Sequence, residues 1–231
     1  MILVVAAMDE EYQELAKMLE NERVLCCKGI KCHQGKIDNK DVMLMLSGVG
    51  KVNAAYSLST IMNNFEIDFV INIGSAGGIN SKDYNIKPLD IVIAQKVCQH
   101  DVDLTLAHRL PGVLPDLPQY YHASLDTSML ADLKDSDLTY HVGTIASGDQ
   151  FVGDLEIVKK IQHSFEDVCA VEMEAGAIAQ ICYILKVPFV IFRSISDVIN
   201  EHSDNQVQFE EYIKQASINS ARSACLVIKS I

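Results

Sequence analysis

The chain has 231 residues with 19 basic and 31 acidic side chains, a formal charge of −12. That acid excess argues against binding nucleic acid, whose phosphates are neutralised by clustered Lys and Arg, and against docking on an anionic membrane surface. With 49% hydrophobic and 22% charged residues, the composition is that of a globular protein rather than a disordered tail. The continuous apolar run Ile2–Ala7 predicts a strand buried on both faces. Residues 9–20 follow with Tyr12, Leu15, Ala16 and Leu19 at the spacing of an amphipathic helix. Residues 31–37 and 42–47 read as a hairpin through Asp38–Asp41. Residues 51–65 read as a helix carrying a Val52, Ala55, Tyr56, Ser59 and Met62 stripe. Strands are expected at 69–73, 91–94, 141–146 and 189–192. Helices are expected at 174–185 and 206–228, the second with Phe209, Ile213, Ala216, Ser220 and Ala224 on one face.

Strands alternating with helices imply an α/β fold with a mixed, mostly parallel sheet, and the absence of a linker makes residues 1–231 one domain. The irregular stretch 104–122, with Pro111, Gly112, Pro115 and Pro118, is long for a compact domain and is expected to be functional. Seven cysteines, an odd number with no C-x-x-C, suit reduced thiols in the cytoplasm. The N-terminus has no basic region before its short apolar run, and no run approaches the ~20 apolar residues of a membrane span. No His, Cys, Asp or Glu set has metal-ligand spacing, so no metal is expected.

Ligands in open α/β sheets bind beyond the carboxyl ends of strands, and several motifs lie there. Asn72–Gly78 offers glycines that let a backbone approach a ligand closely, but it matches neither G-x-G-x-x-G nor the P-loop. Asp9, Glu10 and Glu11 end the first strand; acids there favour a helix dipole, and a carboxylate there is also placed to activate water. Glu172 and Glu174, two apart, point to different sides unless the backbone turns, so at most one of them is expected to face a given ligand. Arg193–Val198 follows a buried strand, where Asp197 could cap the next helix or face a ligand. Ser147–Phe151 adds an aromatic that could stack on a base or join the core.

In this order, Ala7–Glu11, Ser47–Lys51, Gly74–Gly78, His100–Asp103, Ser147–Phe151, Val171–Glu174 and Arg193–Asp197 closely resemble the 5′-methylthioadenosine/S-adenosylhomocysteine nucleosidases of the nucleoside phosphorylase superfamily. The resemblance runs from Met1 to the last helix. It implies a three-layer α/β sandwich around a central mixed sheet. It further implies a homodimer in methionine salvage and nucleoside catabolism, hydrolysing an adenine thionucleoside without a cofactor. It assigns Glu11 to activating the water and Asp197, beside Ser196, to protonating adenine N7. Glu174 matches the residue holding the ribose hydroxyls, Met173 the side chain under the sugar, Phe151 the ring on adenine and Val152 the main chain at the base edge. Met8, Val49, Ser75, Ala76, Gly77 and Arg193 match further pocket positions, and Phe209 a lid phenylalanine.

A phosphorylase needs cations where phosphate sits, whereas this chain has Asp9–Glu11 there and Asn72 before Gly74, which favours water as acceptor. Two stretches depart from the family pattern. Leu106–Arg109 replaces an aromatic-rich sequence expected to line the 5′ pocket, in part from the neighbouring subunit. Asn200–Gln208 is about two residues longer than usual. Within the same chemistry, 6-amino-6-deoxyfutalosine is the alternative substrate. A catalytically dead nucleoside-binding protein would lack one of Glu11, Glu174 or Asp197, and all three are present.

Overall fold

The computed structural model describes residues 1–124, 137–200 and 204–231. Its organising element is a mixed sheet built from β1 (Ile2–Ala6), β2 (Glu20–Cys27), β3 (Ile30–Ile37), β4 (Lys40–Leu46), β5 (Phe69–Asn72), β6 (Ser75–Gly78), β7 (Ile91–Gln99), β8 (Tyr121–His122), β9 (Tyr140–Ser147), β10 (Val168–Glu172) and β11 (Phe189–Val198). The strand order is β2-β3-β4-β1-β5-β11-β6-β10-β9-β7-β8. Among the described residues six strand pairings are parallel and five antiparallel. Strand β7 also returns to pair with β11, Phe192 opposite Ile93, so β11, β6, β10, β9 and β7 form a closed ring. Closure leaves the central strands of that half no free edge.

Helices flank the sheet on both faces, as an α/β layer architecture requires. They are α1 (Asp9–Ala16), α2 (Lys51–Met62), α3 (Leu155–Ser164), α4 (Ala175–Leu185) and α5 (Asn205–Ser230). Strand β1 shows why the layers form. Leu3 and Val5 join one core with Ala54, Leu58 and Ile61 of α2 and Ile178 and Cys182 of α4. Val4 and Ala6 join the other core with Tyr12 and Leu15 of α1 and Ala224 and Val227 of α5. Successive strand side chains point to opposite faces, so an unbroken apolar run serves two cores. Each such side chain contributes about 1.5–3 kcal/mol when fully buried.

Several expectations need correction. Helix α2 buries Ala54, Ser57, Leu58 and Ile61, while Val52 and Tyr56 of the expected stripe are 78% and 58% exposed. The helix carries apolar residues on two sides, and periodicity alone does not say which one turns inward. Ser75–Gly78 forms a strand that was not among those expected, and β11 runs on through Arg193–Asp197 instead of stopping at Phe192. Strand β2 and helix α3 are not among the expected elements, and β7 exceeds its expected span of 91–94. β2 is a largely exposed edge strand without the apolar alternation that marks a strand, β7 extends to Gln99, and α3 has Asp154 as its cap, accepting from the Glu156 N–H at 2.8 Å. The stretch 104–122 is irregular as expected, broken by one 3-10 turn at Thr105–Ala107 and by β8. Part of Asn200–Gln208 lies outside the described residues. Among the described residues no helix is long and apolar enough to cross a membrane.

Candidate active site

The strand ends converge on one cavity of about 160 Å³, lined by Ala7, Met8, Glu11, Val49, Ser75, Ala76, Gly77, Gln150, Phe151, Val152, Val171, Glu172, Met173, Glu174, Ser196, Asp197 and Phe209. β1 delivers Ala7 and Met8 at its end, β6 the Ser75–Gly77 backbone, β10 Val171 and Glu172, and β11 Ser196 and Asp197. The β9–α3 connection adds Gln150, Phe151 and Val152, and α5 adds Phe209.

Glu11 lies in the first turn of α1, yet its carboxylate turns back over the strand end. Oε2 accepts from the Ala7 and Met8 N–H groups at 3.1 and 3.2 Å, and Oε1 from the Ser75 N–H at 3.0 Å. The Ser75 hydroxyl adds a fourth donor at 3.3 Å. Burial pushes Glu11 above the usual carboxylate range, against the opposing pull of Arg193 and these N–H donors. A Cβ on Gly74 would lie 3.1 Å from Glu11 Oε1, so glycine is what lets the carboxylate sit there.

Asp197 does not cap α5; Asp204 does, accepting from the Val207 N–H at 3.2 Å. Instead Asp197 Oδ1 accepts from Ser196 Oγ at 2.8 Å and Oδ2 from Asn205 Nδ2 at 2.7 Å. Burial raises its pKa, and the two donors hold back part of that rise. A buried carboxyl of this kind keeps its proton at a pH where an exposed one is ionised.

Glu172 and Glu174 take different partners, but both line the cavity, so the expectation that at most one of them faces a ligand does not hold. Glu172 turns inward and accepts from the Glu174 and Ala175 N–H groups at the start of α4 and from Arg193 at 2.6 Å. Glu174 takes the Gly50 N–H at 2.8 Å and is the more exposed of the two. Burial first, then the charge of Glu172, raises the Glu174 pKa, with Arg193 and the Gly50 N–H opposing. Arg193 is the one assigned pocket residue that does not line the cavity. It is 1% exposed behind the wall, donating to Glu172 and to Asn72 Oδ1, each at 2.6 Å. Fully buried charge needs pairing, and the cation in the middle of three carboxylates supplies it.

The apolar side of the cavity is made by Met8, Val49, Phe151, Val152, Met173 and Phe209, with the Phe151 and Phe209 rings edge to face at 6.0 Å. Phe151 is 54% exposed, so it is no core residue. Leu106 of the atypical loop is fully exposed and stays outside the cavity of its own chain. Asn205, Asn72 and Glu172 went unassigned in the sequence; Asn205 had no local signal, because only the return of α5 brings it to Asp197. Among the described residues no group of His, Cys, Asp or Glu could hold a metal ion.

Four carboxylates and no Lys, Arg or His line this cavity. That wall suits a neutral ligand with hydroxyls and a developing positive charge, beside an apolar surface for a flat ring. The phosphorylase superfamily model matches residues 1–231, which makes the chain a member of that superfamily. The 5′-methylthioadenosine/S-adenosylhomocysteine nucleosidase of Staphylococcus carnosus is 36% identical over 233 residues, covering 100% of each chain. The Neisseria meningitidis nucleosidase of the same name, solved with methylthio-immucillin-A, superposes with a TM-score of 0.90 at 36% identity, covering 100% of this chain and 99% of that one. A Borrelia burgdorferi chain solved with adenine reaches 0.92 at 38% identity, covering 100% of both. Within the superfamily, the chain belongs to the 5′-methylthioadenosine/S-adenosylhomocysteine nucleosidase family.

Proposed function

We propose that this protein hydrolyses the N-glycosidic bond of 5′-methylthioadenosine and S-adenosylhomocysteine, releasing adenine and the 5-thioribose product. The observation that carries this is a cavity wall of carboxylates without a cation, in a chain whose relatives share the name of that activity. Asp197, whose protonated form burial favours, gives its proton to adenine N7, and the C1′–N9 electron pair leaves with the base. The ribosyl group then carries positive charge, which the Glu174 carboxylate at the sugar hydroxyls stabilises more as it grows. Glu11 takes a proton from the attacking water while the new C1′–O bond forms. Phe151 and Val152 address the base, and Met8, Val49, Met173 and Phe209 pack on the sugar and the 5′-sulfur. Ser75, Ala76, Gly77 and Ser196 supply backbone and hydroxyl groups around the reacting bond. Arg193 acts from behind, holding the charge of the carboxylates in place.

The same reading takes residues 1–231 as a single domain working in methionine salvage in the cytoplasm, where its seven free thiols are stable. It also takes the protein as a homodimer. Val49 before α2, Val52 and Tyr56 on it, and Tyr183, Ile184 and Leu185 at the end of α4 are exposed apolar side chains available to a partner. Sedimentation giving a species of one chain mass at micromolar concentration would remove the dimer. The activity itself is tested by following adenine release from methylthioadenosine with and without phosphate. Equal rates and a free thioribose product are expected; dependence on phosphate, with a ribose-1-phosphate product, overturns hydrolysis.

A further inference from the structure

We infer that Lys51 and Asp101, outside the cavity, are positioning residues that clamp the base-binding connection to the ribose-binding carboxylate through the start of α2. This rests on the nucleosidase reading of the cavity. The connection Gly148–Gly153 has no regular structure and carries Phe151 and Val152. Phe151 is more than half exposed, so packing alone does not fix it. Its tethers are specific. The Gly148 N–H donates to the Glu172 carbonyl at 3.0 Å, and the Asp149 N–H donates to Asp101 Oδ2 at 2.9 Å. Asp149 Oδ1 in turn accepts the Lys51 N–H at 2.7 Å.

The neighbouring N–H of the same helix start, Gly50, is the one that holds Glu174 Oε1. Two consecutive peptides therefore fix the base connection and the ribose carboxylate relative to each other. Free N–H groups at a helix start are natural acceptors' partners, and here both are used for placement. Gly50 has φ 93°, a left-handed conformation that L side chains rarely adopt, and a Cβ there would lie 3.1 Å from Asp149 Oδ1.

What holds this joint is the Lys51 side chain. Its Nζ reaches Asp101 Oδ1 at 2.6 Å and Gln99 Oε1 at 3.2 Å, and Gln99 continues to Gln180 of α4 at 2.7 Å. Asp101 thus uses one oxygen on Lys51 and the other on the Asp149 N–H, tying the end of β7, the start of α2 and the base connection together. Burial would raise the Asp101 carboxyl, but Lys51 and the Asp149 N–H outweigh it, so Asp101 stays ionised. Lys51 is also the cation paired with Asp101; without it Asp101 keeps only the Asp149 N–H.

The test uses Lys51→Met, which keeps the aliphatic stem and the backbone N–H, with Asp101→Asn and Lys51→Arg, read against wild type by steady-state kinetics and by titration with free adenine. A half-exposed ion pair of about 1 kcal/mol corresponds to about a fivefold change. We expect KM for methylthioadenosine and the Kd for adenine to rise about five- to tenfold in Lys51→Met and Asp101→Asn, with kcat within about twofold. The double variant should be no worse than either single one, and Lys51→Arg should stay near wild type. Unchanged KM and adenine affinity in a folded Lys51→Met would overturn the clamp. So would a fall in melting temperature with both constants intact, or full additivity in the double variant. Wild-type adenine release, measured first, tests the nucleosidase reading separately.

Discussion

Asn205 is the residue whose removal most directly probes the acid. Its amide donates to Asp197 Oδ2 at 2.7 Å, inside a site where Asp197 is 1% exposed. The ionised carboxylate accepts that hydrogen bond better than the neutral acid does, so the amide favours ionisation and works against burial. A hydrogen bond to a buried charged group is worth about 1.5–3 kcal/mol. Asn205→Ala deletes it, and at 1.36 kcal/mol per pH unit the Asp197 pKa rises by about one to two units. The sign follows from the role. Asp197 must be protonated to serve N7, its protonated form now survives to higher pH, and the basic limb of kcat/KM moves up by about one to two pH units. The acid limb, set by Glu11 losing its base form as pH falls, stays in place. The assay is adenine release across pH on wild type and variant, with melting temperature as a check on folding. Ser196→Ala, which removes the 2.8 Å donor to the other oxygen, should move the same limb in the same direction. A basic limb that stays or moves down in folded Asn205→Ala refutes Asp197 as the group that must carry the proton.

Further outcomes follow from the same geometry. Asp197→Asn and Glu11→Gln should each lower kcat by about 10²–10⁴-fold, read by single-turnover adenine release, and the acid limb should vanish in Glu11→Gln. Gly74→Ala should shift the Glu11 carboxylate by a few tenths of an ångström and lower kcat by up to about tenfold with little change in KM. Arg193→Met leaves Glu172 buried without its cation at a cost of about 3–5 kcal/mol, seen as a large drop in melting temperature. Pairing it with Glu172→Met should recover much of that drop. Arg193→Met should also shift the acid limb of activity to higher pH, because the charge that opposes protonation of Glu11 is gone.

Much of this protein is written locally. Ile2–Ala7 read as a doubly buried strand and residues 9–20 as an amphipathic helix, which in the structure stops at Ala16, and the acids at strand ends stood out because α/β sheets bind ligands there. Glu11, Glu174 and Asp197 took their roles from the resemblance of their short, contiguous motifs to the nucleosidase family; the residues alone left helix-dipole and cap readings open. Other features depend on how segments meet. The inward face of α2 was misjudged because both its sides carry apolar residues, and only packing against β1 and α4 selects Ala54, Leu58 and Ile61. Arg193 matched a pocket position, yet β11 shifts register between Ile195 and Asp197, and Arg193 lies behind the wall, where three buried acids need a cation. Asn205 and Asp101 meet their partners across 8 and 48 residues of chain, separations that no periodicity encodes. Hydrophobic pattern and strand-end chemistry are properties of neighbours in sequence, so the chain alone determined the layers and the acids. Burial, which sets whether those acids hold or release a proton, is a property of neighbours in space, and only the tertiary structure decided it.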